Sequence, residues 1–109
     1  MAAENHNQQM ASYASSKAAE SHLTRNIAHD LGPMNIRVNA IAPGATKTTA
    51  LQKVLTPEME KAMLARTPLK RLGEPQDMAN AALVLCSPAA EWISGQILTV
   101  SGGGVQELH

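Results

Sequence analysis

Residues 36–44 read Ile36-Arg-Val-Asn-Ala-Ile-Ala42-Pro43-Gly44. The β-branched and apolar residues of this stretch predict a strand, apolar enough to be buried on both faces as in a parallel sheet. Pro43 and Gly44 end the strand in a rigid turn that continues through Thr48. Ligands of open α/β sheets bind at the carboxyl edge of the strands, so this turn is a candidate site.

Helical patterns lie on both sides of the predicted strand. A four-residue apolar period predicts a first helix over residues 12–31, which Gly32-Pro33 ends. After the strand, the sequence Thr56-Pro57-Glu58 has the cap, first-turn proline and first-turn acid that open a helix, which we expect to extend through Arg66.

The C-terminal part continues the alternation. Glu74-Pro75-Gln76-Asp77 predicts the start of another helix, which stops at Ser87-Pro88. A short helical turn over residues 89–92 leads to a last strand over residues 96–100. Helices between two short apolar strands predict an α/β fold with right-handed βαβ crossovers.

Tyr13 and Lys17 give the first helix a possible chemical function. They are four residues apart, so a helix places them on one face, one turn apart. A free tyrosine has a pKa of about 10 and is a poor acid or base at neutral pH. A cation fixed beside it stabilises the phenolate and lowers the pKa of Tyr13 toward working pH. The pair therefore suits proton transfer to a hydroxyl or carbonyl oxygen, although an ordinary helix surface has the same residues.

Composition narrows the class of protein and of partner. Nine basic and nine acidic side chains leave no net charge, which disfavours nucleic acid and anionic membranes as partners. No apolar run approaches the ~20 residues of a membrane span, and residues 1–9 are too polar for a signal peptide. The single cysteine excludes an internal disulfide and fits a reducing compartment. We expect a soluble protein of the cytoplasm.

The cysteine and the histidines carry no further predicted chemistry. Cys86 lies in an apolar run, so we expect a small buried packing residue rather than a reactive thiol. The four histidines lack the spacing of metal ligands, and no metal site is predicted.

Three blocks occur in a fixed order: Tyr-x-x-x-Lys from Tyr13, Val-Asn-x-Ile-x-Pro-Gly ending at Gly44, and Gly-Gln-x-Leu-x-Val-x-Gly-Gly from Gly95. In sequence and spacing they resemble the short-chain dehydrogenase/reductase family over nearly the whole chain. The resemblance implies the C-terminal half of a Rossmann-type, doubly wound parallel sheet. Residues 1–109 are then a partial dinucleotide-binding domain, without the glycine-rich phosphate loop and catalytic serine of the N-terminal half.

The resemblance also implies roles for individual residues. Tyr13 becomes the general acid/base, and Lys17 lowers its pKa and hydrogen-bonds the nicotinamide ribose. The turn holds the nicotinamide carboxamide and pyrophosphate, through the main chain of residue 46 and the hydroxyl of residue 48. The implied cofactor-binding residues are Tyr13 and Lys17 on the helix together with Pro43, Gly44, Thr46 and Thr48 in the turn. Relatives have an aliphatic residue where this chain has Thr46, and a plain polar turn is the alternative reading.

Within the family the similarity is strongest to bacterial hydroxysteroid dehydrogenases, which implies NAD as cofactor and a 7α-hydroxysteroid of the bile-acid type as substrate. Residues 1–109 contain no determinant that distinguishes NAD from NADP. The apolar, methionine-containing segment 51–64 suits a steroid lid, and ordinary packing explains it equally well. A homotetramer is implied by the same likeness.

Two other functions remain as alternatives. The first is a non-catalytic remnant that associates with other subunits, since we expect the 109 residues alone to be inactive. The second is an isomerase or dehydratase that shares the Tyr-Lys pair. The Pro-Gly block and the Gly-Gln-x-Leu-x-Val block disfavour this second alternative.

Overall fold

The computed structural model describes residues 8–104, with side chains from Ser15 onward. The helices and strands alternate as the sequence predicts for an α/β fold, with short 3₁₀ turns at Gly32–Met34 and Pro88–Ala90. The elements are α1 (Gln8–Leu31), β1 (Ala40–Pro43), α2 (Thr49–Val54), α3 (Pro57–Ala65), α4 (Pro75–Cys86) and β2 (Ile97–Val100).

The two strands pair with each other. The backbone N–H of Ala40 donates to Gln96 O and that of Gly44 donates to Val100 O, both at 2.9 Å. The sequence offset is the same in both bonds, so the strands are parallel. Every residue of β1 keeps some exposure, and Ile36 is 46% exposed. The predicted burial on both faces is therefore wrong, because the described sheet has only these two strands.

The described residues form two compact units, one of residues 8–40 and 93–97 and the other of residues 41–92 and 98–104. In the first unit the segment before β1 is held by one backbone bond, from Gly95 N to Val38 O at 2.7 Å, and by side-chain bonds. Asn39 Nδ2 donates to Ile93 O at 3.1 Å, and Asn39 Oδ1 accepts from Gln96 N at 3.0 Å. Ser94 Oγ accepts from Val38 N at 3.1 Å. The predicted strand, residues 36–42, is therefore a regular strand only from residue 40 onward.

In the second unit the helix starts follow the predicted capping chemistry. Thr56 Oγ1 accepts from Met59 N at 3.1 Å at the start of α3, and α4 begins at Pro75 after Glu74. Both predicted starts are confirmed, as is the end of α4 before Ser87-Pro88. Helix α2, which begins after the cap residue Thr48, is not among the predicted helices.

Few side chains are buried in the part of the chain that the structure describes. The buried hydrophobic residues there are Leu72 (3% exposed) and Ala90 (2%), joined by Thr67 at 6%. Trp92 is 97% exposed, and Cys86 is exposed at the end of α4. The expectation that Cys86 is buried is therefore wrong, because nothing in the described chain covers that face of the helix. Within residues 8–104, no helix combines the length and hydropathy that a membrane span requires.

Candidate functional site

The Tyr13–Lys17 pair lies on the continuous helix α1. The helical backbone places Tyr13 one turn before Lys17; the side chain of Tyr13 lies outside the described side chains. The Lys17 side chain is 51% exposed, and its Nζ is 3.9 Å from Glu20 Oε1. An exposed ion pair at this distance contributes little stability.

The turn after β1 is held against the end of β2 by Gly44. Its N–H donates to Val100 O at 2.9 Å. A Cβ on Gly44 would lie 2.6 Å from Ser101 Cβ and 2.8 Å from Ser101 Cα. The chain therefore requires glycine here for its own packing, a reason that the sequence alone did not show.

Both threonines of the turn form bonds within the chain. Thr46 Oγ1 donates to Gly44 O at 2.8 Å, and Thr48 N donates to Thr46 O, also at 2.8 Å. Thr48 Oγ1 accepts from Leu51 N at 3.1 Å and so caps α2. A hydroxyl that accepts one bond still has its hydrogen to donate. Thr46 thus stiffens the turn, and Thr48 retains a donor for an anionic ligand.

The segment around Gly73 supports the turn through two backbone hydrogen bonds. Gly73 N donates to Ala45 O and Lys47 N donates to Gly73 O, each at 2.8 Å, which makes a parallel bridge between Thr46 and Gly73. A Cβ on Gly73 would be 3.3 Å from Thr46 Oγ1 and 3.4 Å from Ala45 O. A side chain at position 73 would therefore press on the Thr46 hydroxyl, which would have to shift by a few tenths of an ångström.

Arg71 and Asp77 flank this support, and sequence reasoning did not single them out as site residues. Arg71 Nη1 is 2.8 Å from Asp77 Oδ2, and Nη2 is 3.0 Å from Oδ1. The hydrogen bonds from Arg71 and from the Glu74 backbone lower the pKa of Asp77 to about 2, and Asp77 raises the pKa of Arg71. One sequence signal could have pointed to Asp77. It is the third residue of α4, a position from which an acid accepts a hydrogen bond from the backbone N–H of the residue that precedes the helix.

A cavity of about 180 Å³ lies within the second unit. Ligand pockets for drug-sized molecules usually measure about 300–1,000 Å³, so this cavity by itself is too small for a dinucleotide or a steroid. It is lined by Ala45, Leu69, Arg71, Gly73, Asp77, Met78, Val100, Ser101 and Gly102.

The structure thus gathers four of the predicted site residues into one turn, at residues 43–48 in the second unit. Tyr13 and Lys17 belong to the first unit. The turn follows the carboxyl end of β1, the edge at which open α/β sheets bind ligands. The roles of all six residues stay predictions.

Comparison with known proteins identifies the family. The family described as enoyl-(acyl carrier protein) reductase matches residues 1–104. The 7alpha-hydroxysteroid dehydrogenase of Escherichia coli (strain K12) is 72% identical over all 109 residues, which span 43% of that enzyme. A solved 7 alpha-hydroxysteroid dehydrogenase complexed with NADH and 7-oxo glycochenodeoxycholic acid aligns with a TM-score of 0.82 and 72% identity, over 100% of this chain and 43% of that one.

More distant members of the family share the fold. A 3-oxoacyl-[acyl-carrier protein] reductase from Brucella melitensis aligns with a TM-score of 0.77 and 41% identity, over 84% of this chain and 34% of that one. The chain spans less than half of the length of the relatives that it matches. The predicted Rossmann-type fold is confirmed as that of its structural neighbours. The chain belongs to the short-chain dehydrogenase/reductase family.

Proposed function

We propose that residues 1–109 form the catalytic part of a dinucleotide-binding domain in an NAD-dependent oxidoreductase that acts on 7α-hydroxysteroids of the bile-acid type. The observation that carries the proposal is the 72% identity over the whole chain to the Escherichia coli enzyme. The complex of a related enzyme with NADH and a 7-oxo bile acid supports this cofactor and substrate class.

The donor groups of this chain fit a nicotinamide dinucleotide. The exposed ammonium of Lys17 suits ribose hydroxyls, since it offers three N–H donors. The hydroxyl of Thr48, which accepts from Leu51 N, has its hydrogen to offer a phosphate or amide oxygen. The main chain at Thr46 and the Pro43–Gly44 turn fix where that hydroxyl lies.

Proton transfer is the task that we assign to Tyr13. In the oxidation direction its phenolate accepts the proton of the substrate hydroxyl, and in reduction the phenol returns a proton to the carbonyl oxygen. Lys17, one turn later on α1, keeps the pKa of Tyr13 low enough for the phenolate to form. Bound NAD would supply the acceptor for the hydride that leaves the carbinol carbon.

The direct test uses the Escherichia coli enzyme with its matching segment replaced by residues 1–109, hereafter the chimera. We expect the chimera to oxidise NADH with 7-oxo glycochenodeoxycholic acid within about tenfold of the rate of the parent enzyme. A 3-oxoacyl thioester and NADPH serve as the competing substrate and cofactor. A chimera that folds but prefers the thioester, or that reduces neither compound, contradicts the proposal.

A second candidate function is a non-catalytic subunit that associates with another polypeptide. The small number of buried hydrophobic side chains within residues 8–104, Leu72 and Ala90, favours it. The turnover of the chimera distinguishes the two candidate functions. If residues 1–109 are non-catalytic, the chimera turns over more slowly than the parent enzyme, and if they are catalytic it does not. The proposal also includes a homotetramer in the cytoplasm. Light scattering on the chimera tests the oligomer.

A further inference from the structure

One ion pair ties the segment that supports the candidate cofactor turn to the start of α4. Arg71 holds Asp77 with two parallel hydrogen bonds of 2.8 and 3.0 Å. The same Arg71 Nη1 donates to Leu72 O at 3.1 Å, and Asp77 Oδ2 accepts from Glu74 N at 2.7 Å. Bidentate arginine–carboxylate pairs fix orientation as well as distance. The pair therefore defines the path of the backbone between its two members.

Gly73 lies on that path, and its backbone bonds directly to the turn. Its N–H and carbonyl bond to Ala45 O and Lys47 N at 2.8 Å, on either side of Thr46. Leu72, next to it, is 3% exposed and anchors the segment by burial. Because these two bonds join Gly73 to both neighbours of Thr46, a displacement of residues 72–74 also moves the main chain of Thr46.

A weaker contact joins the same two segments and provides a comparison. Lys47 Nζ lies 3.7 Å from Glu74 Oε2, between two side chains that are 38% and 52% exposed. A single exposed contact of this length is worth little. Glu74 is next to Gly73 and has the same charge as Asp77, but its side chain does not hold Arg71 in the bidentate pair. It therefore serves as a matched control.

We propose that Arg71 and Asp77 are positioning residues for the cofactor: their ion pair sets the conformation of the turn at residues 44–48 through Gly73, without touching the ligand. This inference rests on the proposed function. The affected groups are the main chain of Thr46 and the hydroxyl of Thr48, which we assign to the nicotinamide half of NAD. Loss of the ion pair should therefore lower the affinity for the cofactor more than it lowers the rate of proton transfer by Tyr13.

The test measures NADH affinity and steady-state kinetics of the chimera with Arg71→Met, Asp77→Asn, the double variant and the control Glu74→Gln. A misplaced turn is expected to weaken NADH binding about tenfold, the usual cost of losing roughly one hydrogen bond to a ligand. The turnover number at saturating NADH should stay within about threefold. The double variant should be no worse than either single variant, because both remove one interaction.

Three outcomes overturn the inference while leaving the proposed function intact. The first is a dissociation constant for NADH within twofold of the unsubstituted chimera in both single variants. The second is an equal loss of affinity in Glu74→Gln, and the third is a lower thermal midpoint without any change in affinity. If Arg71→Met does not fold, Arg71→Lys replaces it, and an unchanged NADH affinity there also contradicts the inference. An unsubstituted chimera that does not bind NADH instead contradicts the proposed function.

Discussion

Gly44 lies against the backbone of Ser101, so close that a Cβ on Gly44 would be 2.6 Å from Ser101 Cβ and 2.8 Å from Ser101 Cα. The contact joins the residue after β1 to the residue after β2. Because Ser101 Cα is backbone, it cannot yield as the end of a flexible side chain would. The ends of the two parallel strands are thus held together where the candidate cofactor turn begins.

Gly44→Ala should destabilise the chimera by about 1–3 kcal/mol, the usual range for overpacking. The control is Gly32→Ala, since a Cβ at position 32 meets nothing within 4 Å; it should shift stability by at most about 1 kcal/mol. Urea unfolding followed by circular dichroism compares the two variants. Equal midpoints would show that the strand ends separate easily, contrary to the geometry.

Tyr13→Phe in the chimera should remove nearly all turnover and leave NADH affinity largely intact. The substitution keeps the ring on α1 and deletes the group to which we assign proton transfer. Loss of general acid/base catalysis typically costs about 10²–10⁴-fold. Stopped-flow reduction of the 7-oxo substrate measures the rate, and NADH fluorescence measures binding. Retention of more than about a tenth of the rate would remove Tyr13 from the mechanism.

Lys17→Met should both weaken NADH binding and move the pH–rate profile to higher pH. The first effect follows from the loss of a donor to the ribose, and the second from the loss of the cation that favours the Tyr13 phenolate. Glu20→Gln is the matched control, because it removes the 3.9 Å contact with Lys17 but keeps the lysine. If both variants leave the profile and the affinity unchanged, Lys17 is a surface residue.

The sequence predicted the local structure well wherever capping chemistry decided it. Thr56 caps α3 through Met59 N as its Thr-Pro-Glu sequence indicates, and α1 ends at Leu31 before Gly32-Pro33. These features depend on neighbouring residues alone. The three family blocks likewise identified the fold, because their order and spacing are properties of the sequence itself.

What the sequence did not predict depends on long-range packing. Cys86 and Ile36 look buried by hydropathy, yet both are exposed, because burial depends on what covers a face. The glycine at position 44 is explained by Ser101, far along the chain. The Arg71–Asp77 pair escaped notice for a different reason: charged residues six positions apart across a turn have no fixed geometry before the turn is known.

Asp77 should make stability depend on pH only in acid. Its pKa is about 2 when folded, below the usual 3.8, so its carboxylate favours the folded state above about pH 4. That contribution is lost as the pH falls from about 4 toward 2, where both states become protonated. The urea midpoints of the chimera and of its Asp77→Asn variant should therefore differ at pH 7 and 5, differ less at pH 3 and converge toward pH 2.

Arg71→Met gives a check on the cause of that convergence. Arg71 is the largest contributor to the low pKa of Asp77, so this variant should also approach the unsubstituted chimera in acid. A gap between the chimera and Asp77→Asn that stays constant from pH 7 to pH 3 would mean that the carboxylate of Asp77 is not selectively stabilised in the folded state.

The 109-residue chain on its own should neither bind NAD tightly nor reduce a 7-oxo steroid. Its described sheet has two strands, whereas independent stability usually needs three or more strands or extensive helix cover. The described residues bury Leu72 and Ala90 but expose large apolar side chains such as Trp92, which favours self-association. We expect a broad, non-cooperative thermal transition and no heat of NAD binding by calorimetry. A cooperative melt with micromolar NAD affinity would instead show that copies of the chain build a complete site together.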